Sequence, residues 1–329
     1  MSRKKKPDTV SGILIINKHA GVTSHRIVSA MRKLYDTPRV GHTGTLDPMA
    51  TGVLPILLGR AVKASEYVMA DEKEYLAGMK LGVATDTQDV TGEIVFTSER
   101  IPDEDEVIKA AESFVGEYDQ IPPMYSAIKM GGEKLLDIAR RGETVEREPR
   151  RVTIKTCEAK KEDDGLFSLR VVCSKGTYVR TLCDDIGKKL GCGAAMASLV
   201  RVRSGPFTLD GSYTVEEIEN MTLDERIAAV TPIAALFADL PEVTPGARLT
   251  KLFACGSPVP QKWIRSSFPE GTLLRVTEGG VLIGLGRVCS DPEGSVIRSE
   301  KLFDLSLVPP GGSSEREKKH GHDQDSPHG

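Results

Sequence analysis

The sequence predicts an α/β (α+β) protein in which strands and helices alternate along most of the chain and a small β domain follows. The stretch GILIIN, residues 12–17, has consecutive apolar residues, several of them β-branched, as in a buried strand. Thr23 and Ser24 are N-cap candidates for a helix, because apolar side chains then recur at helical spacing up to Tyr35. From about residue 242, short apolar runs such as LLRVT and VLIGLGRV are separated by glycine and proline, which indicates short strands.

The middle of the chain contains further strands and helices. Apolar patterning predicts strands at YLAGMKLG (75–82) and FSLRVVCS (167–174), and helices at 103–116, KLLDIARR (134–141) and TYVRTLCDDIGKKLG (177–191). In the last helix, Asp184 with Lys188 and Asp185 with Lys189 have the i,i+4 spacing of solvated ion pairs. Gly191 is a typical helix end.

Composition bounds the class of protein. The chain has 329 residues, 39% of them hydrophobic, which is enough for one large core or two domains. Its formal net charge of −3 gives no global sign of a nucleic-acid partner but permits a local basic face. The six cysteines include no C-x-x-C pair and are interpreted as reduced thiols. The apolar run after the basic N-terminus is too short for a signal peptide, and no run reaches the length of a membrane span. We therefore expect a cytoplasmic protein without membrane association.

One acidic residue separates a loop rich in glycine and threonine from an apolar run in GHTGTLDPMATGVLPILLG, residues 41–59. Pro48 biases Asp47 away from helical backbone angles, and the glycines permit tight turns. An isolated aspartate in such a loop commonly serves only to cap a turn. An aspartate-nucleophile phosphatase is disfavoured, because that chemistry expects a second nearby aspartate and a magnesium site, whereas PMATG follows Asp47.

Four motifs in a fixed order give this loop a more specific interpretation. GHTGTLDPMATGVLPILLGRAVK, EYLAGMKLGVATDTQDVTGEI, QIPPMYSAIKMGGEKL and CSKGTYVRTLCDDIGKKLGCGA resemble the signature of the TruB family of tRNA pseudouridine-55 synthases. The resemblance covers nearly all of residues 11–309. It implies a pseudouridine synthase catalytic domain with a mixed, largely antiparallel sheet and a small C-terminal β domain of the PUA type. It also implies isomerisation of one uridine in the T loop of tRNA, without a metal or an organic cofactor.

The resemblance and the change of texture along the chain divide the sequence into segments. We expect a disordered basic arm at 1–10 and a disordered tail at 310–329, where apolar residues are scarce. Between them we place the catalytic domain at 11–241, with an RNA-binding insertion at about 122–151, and a PUA-like RNA-binding domain at 242–309.

The chemistry of pseudouridine formation agrees with a lone acid. The N1–C1′ glycosidic bond breaks and the same base is rejoined through C5, so nothing is oxidised and no group is lost to water. Retaining glycosidases need two carboxylates, because one is the nucleophile and the other activates water. When water is excluded, a single carboxylate facing the ribose suffices. Asp47 would either attack C1′ of a flipped-out uridine or act on the sugar to assist departure of the base.

The resemblance assigns roles to five residues around the catalytic aspartate. Tyr75 is similar to the family's active-site tyrosine, whose ring can stack on an extruded uracil. Arg180 and Tyr178 match the family's arginine and second aromatic residue. The arginine would keep the carboxylate ionised and hold both of its oxygens in a planar fork. Leu199 matches a position that packs against the target base, and His42 resembles the histidine that helps to extrude the uridine.

Lys18 resembles a family lysine near the active site, in a segment that departs from the family pattern. The usual Asp-Lys-Pro is Asn17-Lys18-His19 here, so a possible partner charge is lost at the first position. Val200 stands within what is usually Leu-Arg-Arg, and Arg201 remains. These departures change contacts in the site and leave the expected reaction unaltered.

The expected partner is tRNA, through its T arm and T loop, with a monomeric protein and no obligate protein partner. Basic residues between 129 and 151 are interpreted as phosphate contacts of an insertion that closes on the T loop: Lys129, Lys134, Arg140, Arg141, Arg147, Arg150 and Arg151. Two alternatives remain open, a guide-dependent enzyme for another RNA and a non-catalytic RNA-binding protein. A binding protein would not need Asp47, Tyr75 and Arg180 together.

Overall fold

The computed structural model describes most of the chain, namely residues 10–69, 72–162, 165–292 and 294–304. The predicted basic arm lies outside the described residues except for Val10, which is buried. The predicted tail also lies outside them. No helix of the described residues is both long enough and apolar enough to cross a bilayer.

The chain forms two compact units. The described residues of the larger unit are 14–57, 65–69, 72–162 and 165–229, and those of the smaller unit are 10–13, 58–64, 230–292 and 294–304. The predicted domain boundary between residues 241 and 242 stays a prediction.

Strands and helices alternate in the part of the chain before residue 230. The strands are β1 (Gly12–Lys18), β2 (Val40–His42), β3 (Thr51–Leu58), β4 (Glu72–Leu81), β5 (Val83–Thr85), β6 (Ile94–Thr97), β7 (Gly116–Gln120), β8 (Lys129–Met130), β9 (Glu133–Lys134), β10 (Arg150–Lys161), β11 (Phe167–Ser174), β12 (Ala194–Ser204) and β13 (Phe207–Thr208). The helices are α1 (Ser24–Leu34), α2 (Ser65–Val68), α3 (Glu104–Glu112), α4 (Leu135–Arg140), α5 (Val179–Leu190), α6 (Val215–Asn220) and α7 (Leu223–Ala228).

The main sheet of the larger unit has the strand order β1-β3-β12-β4-β11-β10-β7, with β2 on β3 and β13 on β12. The pairs that β4 forms with β12 and β11 are antiparallel, as are those of β10 with β11 and β7, whereas β3 and β12 are parallel. The prediction of a mixed, largely antiparallel sheet is confirmed. The register places Tyr75 of β4 opposite Arg201 of β12, and Arg201 beside Gly52 of β3.

Local sequence signals account for one end of each helix that flanks the site, the start of α1 and the end of α5. Thr23 is the N-cap of α1, and its hydroxyl oxygen accepts the backbone N–H of Arg26 at 3.2 Å. The apolar face of this helix, which includes Ile27 and Met31, is buried. Helix α5 ends as predicted at Gly191, whose φ of 72° is a left-handed conformation that suits glycine.

The polar face of α5 differs from the prediction. Lys188 contacts both Asp184, at 2.6 Å, and Asp185, at 3.7 Å, while Lys189 donates instead to the Ser113 hydroxyl at 2.5 Å. The predicted Asp185–Lys189 pair is therefore wrong. Spacing along a helix identifies neighbours on that helix only, whereas Lys189 is used by the end of α3, which packs beside α5.

The smaller unit has its own sheet and core. Its strands are β14 (Thr231–Pro232), β15 (Glu242–Val243), β16 (Val259–Pro260), β17 (Leu273–Glu278), β18 (Val281–Asp291) and β19 (Gly294–Leu302), and its helix is α8 (Ala247–Ala254). Five strands run in the order β15-β17-β18-β19-β16. Phe253 of α8 is fully buried against Leu274 and Val288 of this sheet. The predicted small C-terminal β domain is confirmed, and its PUA-like character stays a prediction.

Candidate active site

Asp47 lies in the loop between β2 and β3, and the backbone on both sides of it is fixed. The hydroxyl of Ser24, at the start of α1, accepts the N–H of Leu46 at 2.9 Å and donates to the Leu46 carbonyl at 3.1 Å. The N–H of Gly21 donates to the Pro48 carbonyl at 2.8 Å. The carboxylate of Asp47 is thus presented from a rigid turn, its side chain 31% exposed.

Lys18, at the end of β1, is fully buried beneath this loop. Its ammonium donates to the carbonyls of Ala50 at 2.5 Å, His19 at 3.0 Å and Pro48 at 3.1 Å, so all three of its donors are used. Burial lowers the pKa of Lys18 to about 8, although the nearby Asp47 carboxylate opposes that shift. Lys18 therefore holds the loop in place and adds positive charge near the carboxylate.

Arg201, on β12, holds the same loop from its other side and is almost fully buried. Its Nε donates to the Val53 carbonyl at 2.8 Å and its Nη2 to the Gly44 carbonyl at 3.1 Å. Its charge lowers the pKa of the Tyr75 hydroxyl, against the larger effect of burial. Gly52 has a φ of 102°, and a Cβ there would lie 2.2 Å from the Arg201 carbonyl oxygen. Only glycine lets β3 approach β12 so closely at this point.

Arg180, on the first turn of α5, meets Asp47 as predicted. Its Nε lies 3.6 Å from Oδ2 of Asp47, and its side chain is only 6% exposed. The predicted planar fork is absent, because Nη2 donates instead to the Tyr125 carbonyl at 2.6 Å. The guanidinium carbon also lies 5.8 Å from the ring centre of Tyr178. Arg180 therefore links the aspartate loop to the segment that precedes β8.

Opposing influences set the protonation of Asp47. Burial raises the pKa of its carboxyl group, and the Asp89 carboxylate raises it further, whereas Arg180 and Lys18 lower it. The net direction is upward. A carboxylate with a raised pKa is a stronger base and nucleophile than one in free solution.

The two tyrosines lie in the same electrostatic field. Tyr75 is buried in β4, and burial raises the pKa of its hydroxyl, so it stays a neutral O–H donor near pH 7. Tyr178 is the N-cap residue of α5. Its backbone N–H donates to Gln120 at 2.8 Å, and its carbonyl accepts from the same amide at 3.0 Å. The Asp47 carboxylate makes a smaller contribution that also raises the pKa of each hydroxyl.

Leu199 and His42 lie on elements that border this cluster. Leu199 is buried on β12, two residues before Arg201 and on the same side of the strand. His42 is half-buried, and its Nδ1 accepts the N–H of Gly44 at 3.3 Å. Burial, with smaller effects of Arg201 and His25, lowers the pKa of His42, so its ring is neutral near pH 7. Among the described residues, no hydrogen bond or ion pair joins either of them to Asp47.

Two residues near Asp47 were missed by sequence reasoning. Asp89 is buried in a tight turn, where it accepts hydrogen bonds from the hydroxyls of Thr87 and Thr91. Arg201 was noted only as part of a motif. The importance of Arg201 could have been recognised from the alternation of side chains along β12. Arg201 faces the same side of the strand as the buried Leu199, and a buried charge must have partners.

Three of the seven basic residues predicted to bind phosphate are already paired with acids. These pairs are Arg140–Asp137, Arg141 with Glu133 and Glu143, and Arg151 with Glu117 and Asp119. Lys129, Lys134 and Arg150 are exposed and have no acidic partner among the described residues. Arg147 donates to the Pro122 carbonyl at 2.9 Å.

The fold and the geometry together define the class of protein. It is an α/β protein with a mixed sheet and one partly exposed aspartate, which lies beside a buried arginine, and two tyrosines belong to the same site. Within the described residues, no group of three or more histidine, cysteine, aspartate or glutamate side chains is arranged to hold a metal ion.

Comparison with known proteins gives the family. The model of the N-terminal domain of TruB family pseudouridylate synthases matches residues 32–179, and that of the tRNA pseudouridylate synthase B C-terminal domain matches residues 180–238. The chain is 43% identical over 277 residues to tRNA pseudouridine synthase B of Syntrophotalea carbinolica, covering 83% of this chain and 90% of that protein. It is 42% identical over 240 residues to the protein of the same name from Francisella tularensis subsp. novicida, covering 72% of this chain and 80% of that protein. The chain belongs to the TruB family of pseudouridylate synthases.

Solved structures agree on the fold. The crystal structure of a Cbf5-Nop10-Gar1 complex contains a chain that superposes with a TM-score of 0.64 at 26% identity, covering 89% of this chain and 85% of that one. A chain in the crystal structure of the archaeal box H/ACA sRNP Nop10-Cbf5 complex gives the same TM-score at 24% identity, covering 93% of this chain and 91% of that one.

Proposed function

We propose that this enzyme converts the uridine at position 55 in the T loop of tRNA to pseudouridine, with Asp47 acting at C1′ of the flipped-out nucleotide. The coarser part of this proposal, pseudouridine formation in tRNA, is supported by the names of its relatives, which are tRNA pseudouridine synthase B proteins at 42–43% identity. The observation that carries the residue-level part is the Asp47–Arg180 pair. In this pair a partly exposed carboxylate lies against a buried cation, with Asp47 inside the matched segment 32–179 and Arg180 at the start of the matched segment 180–238.

The reaction needs only one carboxylate. The N1–C1′ bond breaks, the uracil turns, C5 bonds to C1′, the hydrogen on C5 leaves as a proton, and N1 takes up a proton. Asp47 would bond to C1′ as the base departs and be displaced when C5 returns, or it would assist departure by acting on the sugar. Because its pKa is raised, the carboxylate is well suited to either route, and Arg180 keeps it charged.

The surrounding side chains fit an extruded pyrimidine. Tyr75 would offer its ring to the uracil and, through its neutral hydroxyl, a hydrogen bond, while Leu199 would pack against the base. Tyr178 and His42 would contact the nucleotide and the opened T loop. Extrusion costs a few kcal/mol, and stacking and pocket contacts offset it. Phosphates of the T arm would be met by the unpaired cations of the insertion, Lys129, Lys134 and Arg150.

The protein is proposed to act in the cytoplasm as a monomer, without an obligate protein partner or a guide RNA. Light scattering on the purified protein, with and without tRNA, checks the first point. An active preparation containing this chain alone checks the second.

The experiment that tests the proposed function compares two tRNA transcripts. The first is unmodified, and in the second the uridine at position 55 is replaced by cytidine. We expect pseudouridine at position 55 of the first transcript and none in the second. Pseudouridine at other positions of either transcript would overturn the assignment of the T-loop target.

The lowered pKa of Lys18 predicts that the rate of pseudouridine formation decreases at alkaline pH. The single-turnover rate should fall as pH rises through about 8, because the deprotonated amine loses its charge and one of the three donors that hold the loop. Stability should not fall in that range. The folded protein holds this proton less tightly than the unfolded chain, whose lysine keeps the usual pKa of 10.5, so the ionisation favours the folded state between about pH 8 and 10.5.

The Lys18→Met variant tests this assignment. It should be slower than wild type at every pH and should lack the alkaline limb. Lys189→Met is the matched control, because Lys189 is a lysine whose ammonium donates to Ser113 far from the loop, and its limb should be unchanged. Persistence of the limb in Lys18→Met would show that another group produces it.

Arg201→Lys is predicted to slow single-turnover pseudouridine formation by roughly 10²-fold, the scale expected when a reacting group is misplaced by about an ångström. A lysine keeps the charge but lacks the two spaced donors with which the guanidinium holds the Val53 and Gly44 carbonyls. The measurement is the rate with saturating tRNA, on protein whose thermal unfolding has been checked.

Arg203→Lys is the control for Arg201→Lys. Arg203 lies two residues later on the same strand and pairs with Glu72 and Glu74 at a partly exposed position. We expect a change of less than about threefold in rate, because such pairs contribute little. Equal losses in the two variants would mean that Arg201 has no special role in positioning the loop.

A further inference from the structure

Trp263 is the only tryptophan of the chain, and it is 55% exposed in the smaller unit. An indole ring offers one of the largest apolar surfaces of any side chain, so a fold usually covers most of it. Val281 is the one other large apolar side chain that is exposed among the described residues of this unit. The exposed ring therefore has no place in the core of the unit and is available to a partner.

The segment that carries Trp263 is held rigidly. The buried Gln261 side chain accepts the N–H of Phe268 at 2.8 Å, and its amide donates to the Phe268 carbonyl at 3.1 Å and to the Ser295 hydroxyl at 2.5 Å. Ile264 and Phe268 pack against the core of the unit. Residues 261–268 are thus held against β19, with the side chains of Ile264 and Phe268 directed inward. The exposure of Trp263 therefore follows from the fixed backbone of this segment.

Two cations flank Trp263 in the sequence. Lys262 and Arg265 are exposed, and neither has an acidic partner among the described residues. Three other arginines of the same unit are paired, namely Arg275 with Glu242, Arg287 with Glu300 and Arg298 with Asp291. A flat aromatic ring between two unpaired cations matches a strand of unpaired nucleotides, because the ring can stack on a base while the cations meet the phosphates on either side.

We propose that Lys262, Trp263 and Arg265 form an RNA-binding surface that stacks one unpaired nucleotide of the substrate RNA on Trp263. This inference rests on the proposed function only in taking the substrate to be tRNA. A protein partner is disfavoured, because a specific protein interface is built around a contiguous apolar patch, whereas this ring is isolated between charges. The surface adds affinity for the whole RNA and takes no part in the chemistry at Asp47.

The single tryptophan makes the test direct. Titration of the full-length protein with an unmodified tRNA transcript should change the fluorescence of Trp263, with a midpoint equal to the Kd from an independent filter-binding assay. Trp263→Ala should weaken binding by about tenfold, the scale of one lost base stack. The double variant Lys262→Gln and Arg265→Gln should reduce the slope of log Kd against log salt by about two. The single-turnover rate at saturating tRNA should be unchanged in both variants.

Matched controls separate this surface from general effects. Val281→Ala removes another exposed apolar side chain of the same unit, and Arg298→Gln removes a paired arginine; neither should change Kd. The proposed RNA-binding surface is refuted if tRNA binds without altering the fluorescence, or if Trp263→Ala binds tRNA as tightly as wild type does. A protein partner for Trp263 is then the hypothesis to test. Absence of pseudouridine in tRNA that the wild type binds would instead contradict the proposed function and leave this surface standing.

Discussion

Asp47→Asn should lower the single-turnover rate of pseudouridine formation by roughly 10⁴-fold or more, the scale seen when a reacting side chain is removed. The amide has nearly the same shape as the carboxylate but lacks the negative charge that would act at C1′. The hydrogen bonds that hold the loop come from Ser24, Lys18, Arg201 and backbone groups, and none uses the Asp47 carboxylate. The variant should therefore fold and bind tRNA within about threefold of wild type.

The control for this variant is Asp185→Asn. Asp185 is another partly buried aspartate of the larger unit, and burial raises the pKa of its carboxyl group to about 6, yet it lies on α5 beside Lys188 and away from the loop. Its replacement should leave the rate near wild type. Comparable turnover by Asp47→Asn, in protein free of contaminating host enzyme, would show that Asp47 does not react.

Arg180→Lys should lower the rate by roughly 10²-fold while leaving tRNA binding much less affected. One guanidinium both approaches Oδ2 of Asp47 and donates to the Tyr125 carbonyl, and a lysine ammonium cannot reach both points. Arg151→Lys is the matched control. Arg151 also contacts two groups, the carboxylates of Asp119 and Glu117, but it is 61% exposed, so we expect little change.

Removal of the charge at position 180 should also move the acid limb of the pH profile. Activity requires the Asp47 carboxylate, so the rate falls as pH decreases through its pKa. Arg180 is the largest influence that lowers this pKa, so Arg180→Met should raise it and shift the limb to higher pH. A single-turnover pH series on both proteins measures the shift. An unmoved limb would mean that the limb reports another group.

Much of the fold could be predicted because local signals and tertiary packing agree. GILIIN forms β1, Thr23 caps α1 and Gly191 ends α5, each for a reason contained within a few residues. The contact between Asp47 and Arg180 could also be predicted, because the family resemblance implied it. These features depend on short-range sequence or on motifs that occur together as a set.

The remaining details depend on contacts between distant segments. Spacing on α5 suggested an Asp185–Lys189 pair, but Lys189 is used by α3. Arg180 does not form the predicted fork on Asp47. It donates instead to the carbonyl of Tyr125, which lies 55 positions before Arg180 in the chain. Lys18 was predicted to lie near the site, but its structural role was not predicted. Its three carbonyl partners are brought to the ammonium only by the tertiary packing of β1 against the loop. Such partners depend on tertiary structure that no local pattern encodes.

The central claim is that Asp47 alone among the acids acts on a uridine of tRNA whose C5 hydrogen is then lost. Single-turnover release of tritium from a tRNA transcript labelled at C5 of its uridines tests this most directly, with the protein alone in EDTA. We predict release of one tritium per tRNA by wild type and by Asp185→Asn, with none above background from Asp47→Asn that still binds the transcript. Release by Asp47→Asn at a rate near wild type, or no release by wild type from tRNA that it binds, would contradict the claim.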